Sequence, residues 1–293
     1  MSIFSRFVPF LAVLVALGSA TATIAFADDF TDIELTLGSK GQVQEGALIV
    51  RFPRGDLKVA VDGEQMPTAL GFVSWTAWKN MGHTTVVMGD LVLLEKEINP
   101  VISVLEQANI DVTAVHSHFI YDNPRIMFLH LYGAGRGKSL ALGIRNALLK
   151  TSTPLQDGTG SSASLSLETK RIDEIIGYSG INAGGVYKIT VGRPGVSVRG
   201  MDLTSGMGMN SWAGFTGTSQ RAHVAGDIAM TGAEVNRVIR ALRRGGIEIV
   251  ALHNHMLDEE PRMFFLHFWG TGPAEILAQT IREALNEVQG PVP

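Results

Sequence analysis

The chain contains no cysteine in its 293 residues. That excludes disulfides, a cysteine nucleophile and lipid attachment at a lipobox cysteine, so stability rests on packing alone. Basic residues are also few, 24 Lys and Arg against 28 Asp and Glu, for a formal net charge of −4. The only basic run is Arg240 to Arg244, which argues against a nucleic-acid partner. No serine stands in a G-x-S-x-G context, so a nucleophile-elbow serine is excluded too. The longest apolar run, Phe7 to Leu17, is too short for a spanning helix, which needs about 20 residues.

That run instead belongs to a targeting segment. Arg6 is the sole charge before Asp28, and small residues lead to Ala25-Phe26-Ala27, an A-x-A cleavage signal. Residues 1–27 are expected to be a signal peptide cleaved after Ala27. The mature protein is then periplasmic or secreted, with no stable membrane anchor.

What is present is an internal repeat. His253 lies 137 residues after His116, and the offset holds without a gap from Gly71–Leu148 to Gly208–Leu285, with 28 identities in 78 positions. The reading divides the chain into a first repeat over 28–150, a Ser/Thr/Gly-rich linker over 151–167 and a second repeat over 168–293. Each repeat carries strand patterns at Ala47–Phe52 and Leu57–Val61, and at Val186–Val191 and Val196–Arg199. A strand at Ser74–Trp78 and a long one at Thr84–Leu94, with a bulge expected at Gly89, come next. Ile98, Val101, Ile102 and Leu105 then recur at helical spacing, with Asn99 as the expected N-cap before Pro100. In the second repeat Thr231 and Glu234 form a capping-box pattern, and Gly245-Gly246 stops the helix. Two strands, Asp111–Phe119 and Arg125–Tyr132, are joined by a short turn at Asp122-Asn123-Pro124, and a second helix carries Leu140, Ile144, Ala147 and Leu148 on one face. The fold class is α+β: an internal duplication of two ferredoxin-like β-α-β-β-α units, with additional N-terminal strands in each half.

Six of the eight histidines fall in the two hairpins. His116 and His118 are two apart on a strand and so share a face. A turn centred on residue 123 sets His116 opposite His130, bringing the third imidazole to that face. On this parity Val115 and Phe119 join Met127, Leu129 and Leu131 on the helix side. The second repeat does the same with His253, His255 and His267, and with Leu252, Met256, Phe264, Leu266 and Phe268. Three neutral imidazoles on one face suit a divalent transition metal such as Zn, Cu or Fe. Asp122, Glu259 and Glu260 are candidates for a fourth ligand or a catalytic base, and Asp90 and Asp227 for orienting a histidine. Arg125 and Arg262 are candidates for binding an anionic ligand. The bland readings are that Asp90 shapes a bulge or caps the next helix, that the Pro-Arg step begins a strand and forms a structural ion pair with Asp122 or Glu259, and that Trp75 and Trp212 are core. His83 and His223 do not align and are read as surface or accessory residues.

Through Ala251-Leu252-His253-Asn254-His255-Met256, Pro261-Arg262 and Leu266-His267-Phe268-Trp269-Gly270, the chain resembles the LppY/LpqO family of exported bacterial proteins. Pro53-Arg54-Gly55-Asp56-Leu57 and Met88-Gly89-Asp90 extend the likeness. The family is built on a domain of unknown function and supplies no mechanism. The lipobox cysteine of its lipoprotein members is missing from this chain. The functional expectation is an exported metal-binding protein, extending to a metal-dependent hydrolase. The alternative is a non-catalytic binding module for a small anionic or cell-envelope ligand, with structural histidines.

Overall fold

A computed structural model describes residues 29–155 and 165–288. The expected signal peptide and most of the expected linker lie outside the described residues.

The first half runs α1 (Thr31–Leu37), β1 (Gly41–Gln44), β2 (Ala47–Pro53), β3 (Ala60–Val61), β4 (Glu64–Gln65), β5 (Val73–Met81), β6 (Thr84–Leu94), α2 (Glu95–Gln107), β7 (Asp111–His116), β8 (Asp122–Asn123), β9 (Ile126–Gly135) and α3 (Gly137–Leu148). The second half repeats it as α4 (Thr169–Ile176), β10 (Ile181–Ala183), β11 (Val186–Gly192), β12 (Ser197–Val198), β13 (Met201–Asp202), β14 (Asn210–Gly217), β15 (Ala222–Thr231), α5 (Val235–Arg244), β16 (Glu248–His253), β17 (Glu259–Glu260), β18 (Met263–Gly272) and α6 (Ala274–Asn286). Each half builds a six-stranded antiparallel sheet, in the orders β1-β2-β5-β6-β9-β7 and β10-β11-β14-β15-β18-β16. The last hairpin strand inserts between the two strands that its helix connects. The expected extra N-terminal strands fill the other side of the sheet.

Alternation along the central strands sorts the core into layers. Val87, Leu91 and Leu93 of β6, with Leu129 and Leu131 of β9, pack under the three helices of their half. Val86, Met88 and Val92, with Phe128 and Tyr132, face the other way and meet residues of the second half, including Val198, Met256, Phe265 and Trp269. The two sheets therefore pack face to face with helices outside, which explains why β6 is buried along nearly its whole length. Phe119 and Met256 belong to this middle layer and not to the helix side. Val115 and Leu252 are exposed, because β7 and β16 are edge strands.

Three local expectations are corrected. α2 starts at Glu95 with Pro100 inside it, because the Glu97 carboxylate accepts the Leu94 N–H at 2.8 Å and fixes the earlier start. Glu97 is itself held by Arg54, fully buried, at 2.9 Å, and Arg193 and Glu234 repeat the pair at 2.9 Å. β6 runs through Gly89 without a register break, and the bulges lie instead between Val112 and Ala114 and between Ile249 and Ala251. The hairpin turn is longer than a tight turn: β7 stops at His116, and Asp122–Asn123 leave to pair with β3.

Gly89 and Gly226 serve close approach. A Cβ at Gly226 would stand 2.2 Å from the Trp212 carbonyl oxygen and 2.3 Å from the Phe268 ring; at Gly89 it would stand 2.5 Å from the Trp75 carbonyl oxygen. Gly226→Ala is expected to cost about 1–3 kcal/mol through overpacking, read as a lowered urea midpoint. An unchanged midpoint would show that the strand relaxes freely.

Candidate metal centre

The hairpin register places His116 opposite Phe128 and Ala114 opposite His130. This is two residues away from the expected register, an even shift, so the face is unchanged. His116, His118 and His130 all point into the layer between the sheets, as do His253, His255 and His267. The six imidazoles form one cluster. His116 stacks on His253 with centroids 3.7 Å apart, His118 on His267 at 3.7 Å, and His130 lies against His255 at 3.9 Å. Every one of these pairs joins one half to the other, and the pattern maps onto itself when the halves are exchanged. Phe128 and Phe265 cap the stack against His118 and His255. The hairpins are also tied directly: Thr113 Oγ1 donates to the His255 carbonyl at 2.6 Å, and Asn254 Nδ2 donates to the Thr113 carbonyl at 3.0 Å.

Cross-strand rows bring the acids in. Asp90 pairs with His130 across β6 and β9, and Asp227 with His267 across β15 and β18. Asp90 Oδ2 lies 3.5 Å from His118 Nε2, and Asp227 Oδ2 lies 3.3 Å from His255 Nε2 and 3.9 Å from His267 Nε2. Both acids belong to the cluster; no bulge is shaped by them.

The nitrogens are arranged as ligands are. His130 Nδ1 donates to the Gly89 carbonyl at 3.3 Å, and His267 Nδ1 donates to the Gly226 carbonyl at 3.1 Å. A carbonyl can only accept, so these bonds put the proton on Nδ1 and leave Nε2 with a bare lone pair. Both Nε2 atoms are buried without a hydrogen-bond partner, as are Nδ1 of His116 and of His118. His116 Nε2 and His118 Nε2 are 3.1 Å apart. Two imidazole nitrogens on one tetrahedral Zn²⁺ would stand about 3.3 Å apart at ordinary bond lengths. Among the described residues, three groups have ligand atoms within 4.8 Å of one another: His116, His253 and His267; His130, His253 and His255; and Asp90, His116 and His130. Two of the three mix the halves, so the donors form one shared centre in place of two separate ones.

Burial, more than any neighbour, pushes His116, His118, His130, His255 and His267 well below the usual histidine range, and lowers His253 as well. Burial raises Asp90 against the pull of His130 and His253. The imidazoles are thus neutral at pH 7, the form that binds a metal.

The remaining candidates lie in the hairpin turns. Asp122 accepts the Ile126 N–H at 2.6 Å and Arg125 Nη1 at 3.2 Å. Glu259 accepts the Met263 N–H at 3.1 Å and Arg262 Nη1 at 3.0 Å. Both carboxylates are fully enclosed staples of their turns, with Arg125 and Arg262 as their partners, while Glu260 is exposed. None of the three acids belongs to the donor groups above. His83 is exposed, but His223 is buried: its Nε2 meets Glu64 of the first half at 2.9 Å and its Nδ1 meets Thr271 Oγ1 at 3.0 Å. This corrects its surface assignment. Trp75 and Trp212 are half-buried walls of the middle layer.

Two cations on strands paired with the wall tryptophans' strands escape sequence reasoning, and Arg51 is exposed. Arg51 pairs with Trp75, which pairs with Asp90, which pairs with His130, so a single cross-strand row connects them. Lys188 sets its ammonium 4.1 Å over the Trp212 ring, the wall residue of the matching row. Burial, then Arg51, lowers Lys188 to about 8 while Asp227 opposes the shift. Only the pairing of strands could have revealed them, because neither cation is repeated in the other half.

Among solved structures, the chain is similar to the trimeric bacterial microcompartment shell protein PduB, at 14% identity over 84% of this chain and 90% of that one. It is also similar to EtuB from Clostridium kluyveri, at 10% identity over 84% and 90%. A double ringed trimeric shell protein, MSM0271 from the RMM microcompartment, matches at 10% over 73% and 88%. The TM-score is 0.20 in each case, too low to bear on fold or function. No curated protein matches. A family model does, over residues 31–150 and again over 170–287, one match in each half. The chain thus belongs to the family described as Domain of Unknown Function (DUF1259).

Proposed function

We propose that this is an exported transition-metal-binding protein whose two halves close on one centre of six histidines and two aspartates. The observation that carries the reading is the pair His130 and His267. Each is oriented by a backbone carbonyl and presents a buried, unpartnered Nε2 to the other half. Polar atoms buried without partners are costly, about 1–3 kcal/mol each, and a metal ion satisfies them together. His116, His118, His253 and His255 complete the donors, with Asp90 and Asp227 beside them. A donor set dominated by imidazole nitrogen favours Zn, Cu or Fe over Ca or Mg, which take oxygen ligands. When bound, such an ion would supply Lewis-acid chemistry. In a hydrolase the proton acceptor would be Asp90 or Asp227, since Asp122 and Glu259 are held by their turns.

Residues 1–27 and the absence of cysteine support export. The quoted histidine and Pro-Arg motifs support kinship with the LppY/LpqO proteins, and the split strand order of each sheet supports a ferredoxin-like origin of the halves.

Elemental analysis of the purified mature protein is expected to find at least one equivalent of Zn, Cu or Fe per chain, restored on reloading after chelation. A protein that neither retains nor rebinds any of them overturns the proposal.

A further inference from the structure

Six imidazoles are more than one ion uses, since a zinc-type site takes four protein ligands, or three with a position left open. Distances divide the six into two sets. His130, His253 and His255 have ligand nitrogens all within 4.8 Å of one another. Exchanging the halves turns that set into His267, His116 and His118, and these also stand together. His116 Nε2 and His118 Nε2 are 3.1 Å apart, His116 and His267 have ligand nitrogens within 4.8 Å, and His118 stacks on His267 with centroids 3.7 Å apart. The two sets share no histidine and use all six. Each takes its His-x-His pair from one half and its third histidine from the other. Ring centroids favour this crossing: His267 is 3.7 Å from His118 but 5.0 Å from His253 of its own half. His130 is likewise 3.9 Å from His255 but 4.9 Å from His116. One aspartate stands beside each set, Asp227 Oδ2 at 3.3 Å from His255 Nε2 and Asp90 Oδ2 at 3.5 Å from His118 Nε2. All six imidazoles keep a buried ring nitrogen without a hydrogen-bond partner, and both aspartates a buried Oδ1. The two other close groups, His116 with His253 and His267 and Asp90 with His116 and His130, draw on both sets and mark where they adjoin.

We propose that the centre is a pair of adjoining sites for divalent transition-metal ions, each built across the two halves. One consists of His130, His253 and His255 with Asp227 at hand, the other of His116, His118 and His267 with Asp90. This inference rests on the metal-centre reading and adds to it a stoichiometry of two and an assignment of ligands. Each ion would tie the His-x-His strand of one half to the central strand of the other. Since ions that bind only the native state stabilise it, loading then fastens the docking of the two sheets.

The test titrates the metal-free full mature chain with Co²⁺, followed by calorimetry and by the visible absorption of the metal. The wild type is expected to saturate at two ions, and two double variants decide the ligands. His118→Leu/His267→Leu takes two ligands from one site and is expected to retain one tight ion. His118→Leu/His130→Leu takes one ligand from each site and is expected to bind both ions at least about 100-fold more weakly, the upper end of what losing even an outer-shell partner costs. Urea midpoints of the metal-free variants, and the same pairs made with glutamine, separate loss of a ligand from loss of the fold. The opposite pattern, with the tight ion kept by His118→Leu/His130→Leu, assigns one site to each half and overturns the crossed sites. Equal retention by the two double variants, or a wild type that saturates at one ion, overturns them as well and leaves the metal centre standing. A protein that takes up no Co²⁺ overturns the metal reading, and the paired sites with it.

Discussion

Leucine at both 130 and 267 is expected to abolish metal retention while leaving the metal-free protein within about 1 kcal/mol of its parent. The two imidazoles are buried, hydrogen-bonded through Nδ1 alone, and their Nε2 atoms have no hydrogen-bond partner. Replacing a poorly satisfied polar group by an apolar one of similar size removes a desolvation penalty along with a hydrogen bond, so the folded state changes little. Metal affinity behaves differently. Losing even an outer-shell partner costs about 10–100-fold, and two lost donors cost at least the upper end of that range. Asp122→Ala and Glu259→Ala should give the reverse pattern. Each leaves a turn N–H, of Ile126 or Met263, without its acceptor, a loss of about 1–3 kcal/mol, with metal content unaltered. Metal analysis and urea denaturation of the four proteins separate the cases. If the leucine variant instead loses several kcal/mol from a wild type that never held metal, the histidines are structural.

Acid should unfold the metal-free protein steeply. The six cluster histidines have folded-state pKa values below the unfolded value of about 6.5. The unfolded chain therefore binds more protons than the native one below that pH. Stability is fully present above about pH 6.5 and is lost as the pH falls from there toward the folded-state values. Each histidine contributes a slope of up to about 1.4 kcal/mol per pH unit, so six approach about 8. Against a total stability of about 5–15 kcal/mol, a drop of one to two units suffices to open the cluster. Asp90 works the other way, because its raised pKa favours the protonated folded state at low pH, but it is one group against six. A bound metal has the same sign, since protons compete for the same nitrogens. Denaturant midpoints measured at pH 7.5, 6.5 and 5.5 check this. A flat profile across that interval would mean that the imidazoles are already charged or exposed in the folded protein.

Much of the centre is legible in the residue order because strand geometry is local. A spacing of two puts His116 and His118 on one face whatever surrounds them. Any even register shift then keeps His130 with them, which is why the observed two-residue displacement and the bulge at Thr113 leave the face unchanged. The same period-two alternation assigns Leu129 and Leu131 to the helices. Capping was legible only in part. Glu97 starts α2 ahead of Asn99 because it is fixed by Arg54, a residue 43 positions away that no local pattern points to. The fate of Asp122 and Glu259 was open on sequence alone, since each acid stands where it can serve either the turn or the histidines. A backbone N–H four residues on and an arginine three residues on are nearer partners than a cluster facing the other sheet.

The sequence by itself determined the duplication, the α+β composition of each half and the common face of each three-histidine set, because these depend on periodicity and on contacts within one hairpin. Only the tertiary structure decided that the two sets interleave into a single centre, that Asp90 and Asp227 enter it, and that Lys188 lies over Trp212. Those outcomes depend on how two sheets dock. Docking is set by the summed packing of a whole face, with Phe128 against His118, Phe265 against His255 and each tryptophan against the other half's glycine, and no stretch of a single strand encodes it.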